Sequence, residues 1–422
     1  MANRDTRQDF INHKTRKLFT ESSGPAMKEK PTEKDFYRIR KLPPYVFAEV
    51  NALKAKLRGE GADIIDFGFG NPDLPTPRHV IDKLIETVQK PKTTGYSASR
   101  GIPGLRAACA RYYKRRFDVT LDPETEVIAT IGSKEGFANL AQAITAPGDV
   151  IYAPDPSYPL HAYGFIIAGA KIRPITAMTA QDYLEGIKQA LAEADKPPVA
   201  MVVCFPSNPT GHVADRAFYE EIVAIARRHN IIILSDLAYS EIYFTDTPPP
   251  SIFEIEGARE IAVETISLSK TYSMAGWRMG FAVGNAHLIA ALARVKSYLD
   301  YGAFTPIQVA ACAALDGPQD CVEAARSTYK HRRDVLIESF GRAGWDIRPP
   351  DASMFVWARL PEKYAHLGSM AFSKALMRKA HIAVSPGVGF GKGGEGYVRM
   401  ALVENEHRIR QAARNLKGFM TG

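Results

Sequence analysis

I-I-I-L-S-D-L-A-Y, residues 231–239, runs four aliphatic residues straight into a carboxylate and an aromatic hydroxyl. Four apolar residues in a row, with no polar alternation, are the pattern of a parallel strand buried on both faces. Similar short runs recur on either side of it: T-E-V-I-A-T (125–130), D-V-I-Y-A-P (149–154), A-K-I-R-P-I (170–175), A-M-V-V-C-F (200–205) and V-E-T-I-S-L (263–268). Helical patterns separate them. Such alternation predicts an α/β fold, a mostly parallel sheet wrapped by helices, with ligands at the strand ends. Upstream, an arm I-R-K-L-P-P-Y-V-F (39–47) leads into a helix V-N-A-L-K-A-K-L (50–57) and a strand I-I-D-F-G-F-G (64–70). Downstream of Phe304, a long helical pattern (308–315 and 321–336) opens a smaller α+β segment, whose predicted strands are W-D-I-R-P (345–349), S-M-F-V-W-A-R-L (353–360) and Y-V-R-M-A-L (397–402). The expected organisation is a disordered polar tail at 1–34, an arm and part of a small domain at 35–74, a large domain at 75–307 and a small C-terminal domain at 308–422.

The strand ends carry the chemistry. S-L-S-K, residues 267–270, is followed eight positions on by Arg278 in T-Y-S-M-A-G-W-R-M-G. This pairs an amine nucleophile, on a predicted loop after a strand that ends in the hydroxyls Ser267 and Ser269, with an anion clamp; a solvated loop lysine would also explain the match taken alone. A lysine attacks a carbonyl only when unprotonated, and burial or nearby cations lower its pKa toward that state. Asp236 after an all-apolar strand is costly unless it meets a cation or proton donor, such as a protonated pyridine nitrogen. Capping the next helix would also explain it. Asn208, in F-P-S-N-P-T-G, can donate to a phenolate oxygen or simply make a turn. V-I-A-T-I-G-S-K-E-G (127–136) is a strand, a small-residue turn and a helix start, so the amides of Gly132, Ser133 and Lys134 can face a phosphate. Units of that kind also occur with no ligand. Arg399 alternates onto the opposite strand face from Val398 and Met400; it either grips a carboxylate with its fork or lies exposed. The G-x-G-x-x-G match at Gly389, Gly391 and Gly394 opens no helix and reads as a loop beside Arg399, not a dinucleotide site.

These motifs, in this order from Phe36 to the C-terminus, resemble the fold type I, class I/II aminotransferases that depend on pyridoxal 5′-phosphate. The resemblance implies the PLP-dependent transferase fold with its smaller α+β domain. It implies that Lys270 binds the cofactor aldehyde, that Asp236 pairs with the pyridine nitrogen, and that Tyr239 and Asn208 contact the ring oxygen. Gly132, Ser133, Lys134, Ser267, Ser269 and Arg278 would form the phosphate site. Tyr158 would stack on the cofactor and His161 brace the aspartate. Tyr96, in G-Y-S-A-S-R-G, would reach the phosphate of a neighbouring subunit, which implies a homodimer with shared sites. Gly70, Asn208 and Arg399 would contact the substrate. The runs R-I-R-K-L-P-P-Y-V-F, G-Y-S-A-S-R-G-I-P, T-I-G-S-K-E-G and L-A-R-V-K-S-Y-L-D-Y-G-A-F-T-P-I-Q are similar to the bacterial glutamate-pyruvate (alanine) branch. Residues 298–306 carry no arginine where aspartate-specific enzymes supply a second clamp. Aminotransferases for aspartate, methionine or LL-diaminopimelate, or a lyase on the same fold, are the alternatives.

Composition sets the outer limits. The 422 residues exceed one ordinary core, and 45% hydrophobic with 24% charged residues is ordinary for a globular chain. No window approaches the ~18 apolar residues of a membrane span. The net charge of +8 suits anionic small molecules and is too diffuse for nucleic acid. The cluster Tyr329-Lys330-His331-Arg332-Arg333 reads as a solvated helix face. Cys109, Cys204, Cys312 and Cys321 have no C-x-x-C or metal-ligand spacing, so free thiols, no metal and a reducing cytoplasmic compartment are expected. The polar start, with Asp5, Asp9 and Glu21, argues against a secretory signal or transit peptide, and is too short for a DNA-binding domain of a regulator on this fold.

Overall fold

Apolar runs became strands, and their alternation shows where each side chain goes. The computed structural model describes residue 36 and residues 38–421; the tail expected at 1–34 lies outside the described residues. Residues 38–42 contribute one short 3-10 turn, Ile39–Lys41, and belong to a unit separate from Pro43–Gly422. In chain order the strands are β1 (Ile65–Asp66), β2 (Val127–Thr130), β3 (Val150–Asp155), β4 (Lys171–Thr176), β5 (Ala200–Val203), β6 (Ile232–Asp236), β7 (Ala262–Ser267), β8 (Gly280–Gly284), β9 (Phe355–Arg359), β10 (Ile382–Ala383), β11 (Ser385–Pro386) and β12 (Tyr397–Ala401).

Seven of them form one sheet in the order β2-β8-β7-β6-β5-β3-β4, with β6 at its centre. All its pairings are parallel except those of β8, which runs antiparallel to β7 and β2. Every residue of β2, β5, β7 and β8 is buried, as expected of strands covered on both faces. The period of two is visible within β5: Met201 and Val203 pack into the core with Tyr183, Tyr219 and Ile222, while Ala200 and Val202 pack into the opposite core with Phe137, Phe165 and Ile289. Glu264 is the exception inside β7. Its wholly buried carboxylate accepts from Tyr113 Oη (2.8 Å), Ser235 Oγ (2.8 Å) and the N–H of Ile252 (3.2 Å), and burial pushes its pKa up.

A second group surrounds the antiparallel sheet β11-β12-β9 and the short parallel pair β1-β10. Its core includes Leu336, Phe340, Trp345, Phe372, Val398 and Met400. Ala310, Ala311, Ala314 and Leu315 still pack with the large sheet, so the helix Asp320–Arg342 carries the chain from one core to the other. No described helix is long and apolar enough to cross a membrane.

Three local expectations change. W-D-I-R-P is not a strand: Trp345 and Ile347 are buried with the alternation of one, but residues 345–349 pair with nothing in a ladder. Pro349 and Pro350 lack the N–H groups that would continue one. Lys270 sits on a helical turn, Leu268–Thr271, instead of a loop, started by Ser267 Oγ accepting from the N–H of Ser269 at 3.3 Å. The helix face at 329–333 is only partly solvated: Tyr329 is buried, and Arg332 makes a two-pronged ion pair with Asp73 (2.8 Å on each prong) and donates to the carbonyl of Leu402 (3.0 Å). All four cysteines are free.

Candidate active site

The strand ends converge on one edge of the large sheet. β2 leads to Gly132, β3 to Tyr158, β5 to Asn208, β6 to Asp236 and β7 to Lys270, while antiparallel β8 starts there just after Arg278. Arg399 on β12 faces this edge. All of these but Gly132 line a cavity of about 490 Å³.

Asp236 is largely buried at the cavity wall and held by three partners. Its Oδ2 lies 2.9 Å from His161 Nε2, and its Oδ1 accepts from the N–H of Ala238 (3.3 Å) and Thr265 Oγ1 (3.4 Å). His161 is wholly buried and its Nδ1 has no partner. Tyr158 meets the His161 ring edge-on at 5.9 Å. The ligand atoms of His161, Cys204 and Asp236 all lie within 4.8 Å of one another, but burial pushes the Cys204 thiol far up and keeps it protonated.

Lys270 Nζ donates to the carbonyl of Gly70 at 3.0 Å and lies 6.0 Å from the Tyr239 ring centroid. Desolvation, with the charges of Arg399 and then Arg278, lowers its pKa to about 8. An appreciable fraction of the amine is therefore unprotonated near neutral pH. Tyr239 is buried, and its phenol pKa is pushed up chiefly by that burial.

The anion end is built on glycines. The helix Ser133–Ile144 starts on Gly132 (φ 77°) with no side-chain cap, so its first N–H groups and its dipole face the cavity. A Cβ on Gly132 would collide with the Arg278 guanidinium, and one on Gly280 would come within 2.7 Å of the Ser133 nitrogen. Arg278 adopts a left-handed backbone (φ 55°), unusual for a residue with a Cβ, and donates to the Ala275 carbonyl at 2.8 Å. Ser133, Lys134, Ser267, Ser269 and Arg278 all reach the lining.

Arg399 is buried between the rings of Phe355 (3.9 Å) and Phe390 (4.6 Å). Burial lowers its pKa to about 10, which leaves it charged at neutral pH. Nη1 donates to Asn208 Oδ1 at 2.9 Å, and Nε is buried without a partner. A guanidinium fixed by one prong and unsatisfied elsewhere fits an incoming carboxylate. Gly70 is small by necessity, since a Cβ there would strike the Phe355 ring.

Of the residues singled out in the sequence, the structure gathers all but Tyr96 at this edge, with Gly132 and His161 just behind the lining. Tyr96 is 89% exposed and leans on Tyr301, ring centroids 4.6 Å apart. The loop carrying Gly389, Gly391 and Gly394 does lie beside Arg399, through Phe390. Sequence reasoning missed Thr265, Phe355 and Phe390, and foresaw the helix Phe47–Gly59 but not that its Phe47, Val50, Asn51 and Lys54 line the cavity. The spacing i, i+3, i+4, i+7 of those four was the available signal.

The description "Aminotransferase class I and II" matches residues 62–416. The chain is 60% identical to AatC of Rhizobium meliloti (strain 1021), over 92% of this chain and 96% of that protein. It is 50% identical to the glutamate-pyruvate aminotransferase AlaC of Escherichia coli (strain K12), over 92% and 94%. It is 42% identical to the LL-diaminopimelate aminotransferase of Desulforudis audaxviator (strain MP104C), over 91% and 97%. Among solved structures, substrate-bound BacF from Bacillus subtilis superposes with a TM-score of 0.85 at 36% identity, over 93% of this chain and 98% of that one. Sequence and fold agree with the chemistry at the strand ends: the chain belongs to the class I and II aminotransferases of fold type I, enzymes that use pyridoxal 5′-phosphate.

Proposed function

We propose that this aminotransferase moves an amino group between L-alanine and 2-oxoglutarate, giving pyruvate and L-glutamate, in two half-reactions at one site. The observation that carries this is the 50% identity to the glutamate-pyruvate enzyme over 94% of its length. A second reading, LL-diaminopimelate as amino donor, is favoured by the relatives at 42% identity and below that act on it.

The residues present fit the cofactor. The uncapped helix start beside Arg278 suits its phosphate, Asp236 its ring nitrogen, and the Lys270 amine its aldehyde. When bound, pyridoxal 5′-phosphate supplies the aldehyde that takes up the amino group and a ring that accepts the electron pair released at the substrate Cα. In this reading Ser133, Lys134, Ser267, Ser269 and Arg278 hold the phosphate, with Gly132 giving the turn its room. Asp236, oriented by His161, keeps the ring nitrogen protonated. Tyr158 would pack on the ring, and Asn208 and Tyr239 would contact its oxygen. Arg399 grips the α-carboxylate, with Gly70 leaving space for the substrate. That orientation brings the Cα proton toward Lys270 Nζ, which takes it as a general base and returns it as a general acid. Phe47 and Phe390, ring centroids 5.4 Å apart, would give the Arg399 end of the cavity apolar walls.

The wider expectations join the proposal. A homodimer would cover the exposed Tyr96, Tyr298, Leu299 and Tyr301 and bring Tyr96 to the partner's phosphate site. A large and a small domain would flank the cleft, with the changeover in the helix Asp320–Arg342 in place of the expected 307/308 boundary, and the compartment would be the cytoplasm. The test is a panel of single half-reactions with alanine, glutamate, aspartate, methionine and LL-diaminopimelate, followed by cofactor absorbance. Alanine and glutamate should be fastest. Aspartate or diaminopimelate outpacing alanine would overturn the substrate assignment.

A further inference from the structure

An alanine–glutamate exchange poses a problem of charge. The site must accept a three-carbon substrate with an uncharged side chain and a five-carbon one with a second carboxylate. Among the described residues that line the cavity, the cations are Lys54, Lys134, Lys270, Arg278 and Arg399. Lys134 and Arg278 stand at the anion end, Lys270 carries the chemistry, and Arg399 is committed to the α-carboxylate. Lys54 alone has no part in holding the cofactor or the α-carboxylate; it pairs with Asp66 at the cavity wall.

We propose that Lys54 receives the side-chain carboxylate of glutamate and 2-oxoglutarate; this rests on the alanine–glutamate reading above. Phe47 and Lys54 project from one face of the helix Phe47–Gly59 into the cavity, two turns apart. Phe47 packs on Phe390 at 5.4 Å, and Phe390 covers the Arg399 guanidinium. Phe47 thus marks the Arg399 end, and Lys54 follows two turns on along the same lining face, a backbone rise of ~10 Å along the helix. The terminal carbons of a five-carbon dicarboxylate lie about 5 Å apart at ~1.5 Å per bond. With a charge-assisted bond of ~2.8 Å at either end, such a molecule reaches a cation on the order of 10 Å from the Arg399 guanidinium. Alanine has nothing to extend to Lys54 and makes no demand on it.

Lys54 is also prepared for the task. Its side chain is 14% exposed, and its Nζ is held 2.7 Å from Asp66 Oδ2. Asp66 is fixed in turn by the N–H of Gly68 (3.0 Å) and the Arg58 guanidinium (3.5 Å), while the N–H of Asp66 donates to Glu404 (3.1 Å). An ammonium has three donors, so one can stay on Asp66 while another meets the substrate. Lys54 and Arg58 stand against Asp66 and Glu404, so the cluster carries no net negative charge toward a further carboxylate.

The experiment compares glutamate with glutamine, equal in length but uncharged, in the half-reactions of holoenzyme carrying wild-type Lys54, Lys54→Met or Lys54→Arg. Lys54→Met should lower the glutamate-to-glutamine ratio of kcat/KM by roughly 10–100-fold, the worth of a hydrogen bond between charged groups, and Lys54→Arg should restore most of it. If Lys54→Met does not fold, Lys54→Gln serves, because it keeps a hydrogen bond to Asp66 without the charge. An unchanged ratio, or equal losses for both substrates, overturns the assignment of Lys54 while leaving the alanine–glutamate reading intact. A wild-type enzyme that takes no glutamate overturns both.

Discussion

Replacing Arg399 tests how the substrate is held, and the structure sets the size of the effect. The guanidinium is buried between two phenyl rings with one prong on Asn208 and its Nε unpartnered, so a bound carboxylate would be its main counter-charge. Arg399→Lys keeps a positive charge but loses the planar fork. Losing one charge-assisted hydrogen bond, about 1.5–3 kcal/mol, lowers kcat/KM for alanine by roughly 10–100-fold. Arg399→Ala leaves a carboxylate unpaired against apolar walls; the usual cost of breaking a buried ion pair, about 3–5 kcal/mol, corresponds to roughly 10²–10³-fold or more. The assay is the single-turnover half-reaction with alanine, read from cofactor absorbance, with cofactor uptake measured separately on each variant. Arg399→Lys should stand between wild type and Arg399→Ala. A loss under about fivefold for Arg399→Ala, less than a single neutral hydrogen bond commonly contributes, would refute a carboxylate clamp at this position.

Other outcomes follow from the same geometry. Only the unprotonated Lys270 amine reacts, so the rate at which the cofactor-free chain captures pyridoxal phosphate should rise with pH through about 8 and then level off. Removing the Arg399 charge takes away one of the influences that lower this pKa, so in Arg399→Met the rise should move to higher pH; a shift downward would contradict the cause. Gly280→Ala forces a methyl against the backbone of Ser133 and Ile266, so equilibrium dialysis should find weaker cofactor retention and thermal melts a loss of about 1–3 kcal/mol. If the aromatic surface around Tyr96 is a subunit contact, light scattering should give twice the 46.5 kDa chain mass, and Tyr301→Glu should shift the population toward one chain.

Much of the site was legible because its chemistry is local. Arg278, Asp236 and Gly132 each end, follow or precede a strand of mainly apolar residues that announces burial on both faces, and Lys270 follows one that ends in a hydroxyl. What escaped was set by contacts distant in sequence. Arg332 is buried because Asp73, 259 positions away, pairs with it, and no charge pattern within its own helix reveals that. The alternation of Trp345 and Ile347 correctly signalled burial but not a ladder: Trp345 Nε1 donates to the Arg359 carbonyl at 2.8 Å, and the segment packs as extended chain on the small core. Alternation reports which face is covered and says nothing about hydrogen-bond partners. Likewise, Ser267 capping its own turn put Lys270 on a short helix where a loop was expected. Lys54 was hidden for a simpler reason. A lysine on an amphipathic helix is usually solvated, and only the packing of Phe47 on Phe390 turns this face toward the cavity.

The whole scheme depends on the Lys270 amine as the attachment point of the cofactor. Incubation with pyridoxal phosphate, borohydride reduction and peptide mass spectrometry test it most directly. One covalent adduct should map to the peptide containing Lys270 in the wild-type protein, and Lys270→Ala should carry none and lose transamination. An adduct on another lysine, or an active Lys270→Ala protein, would contradict it.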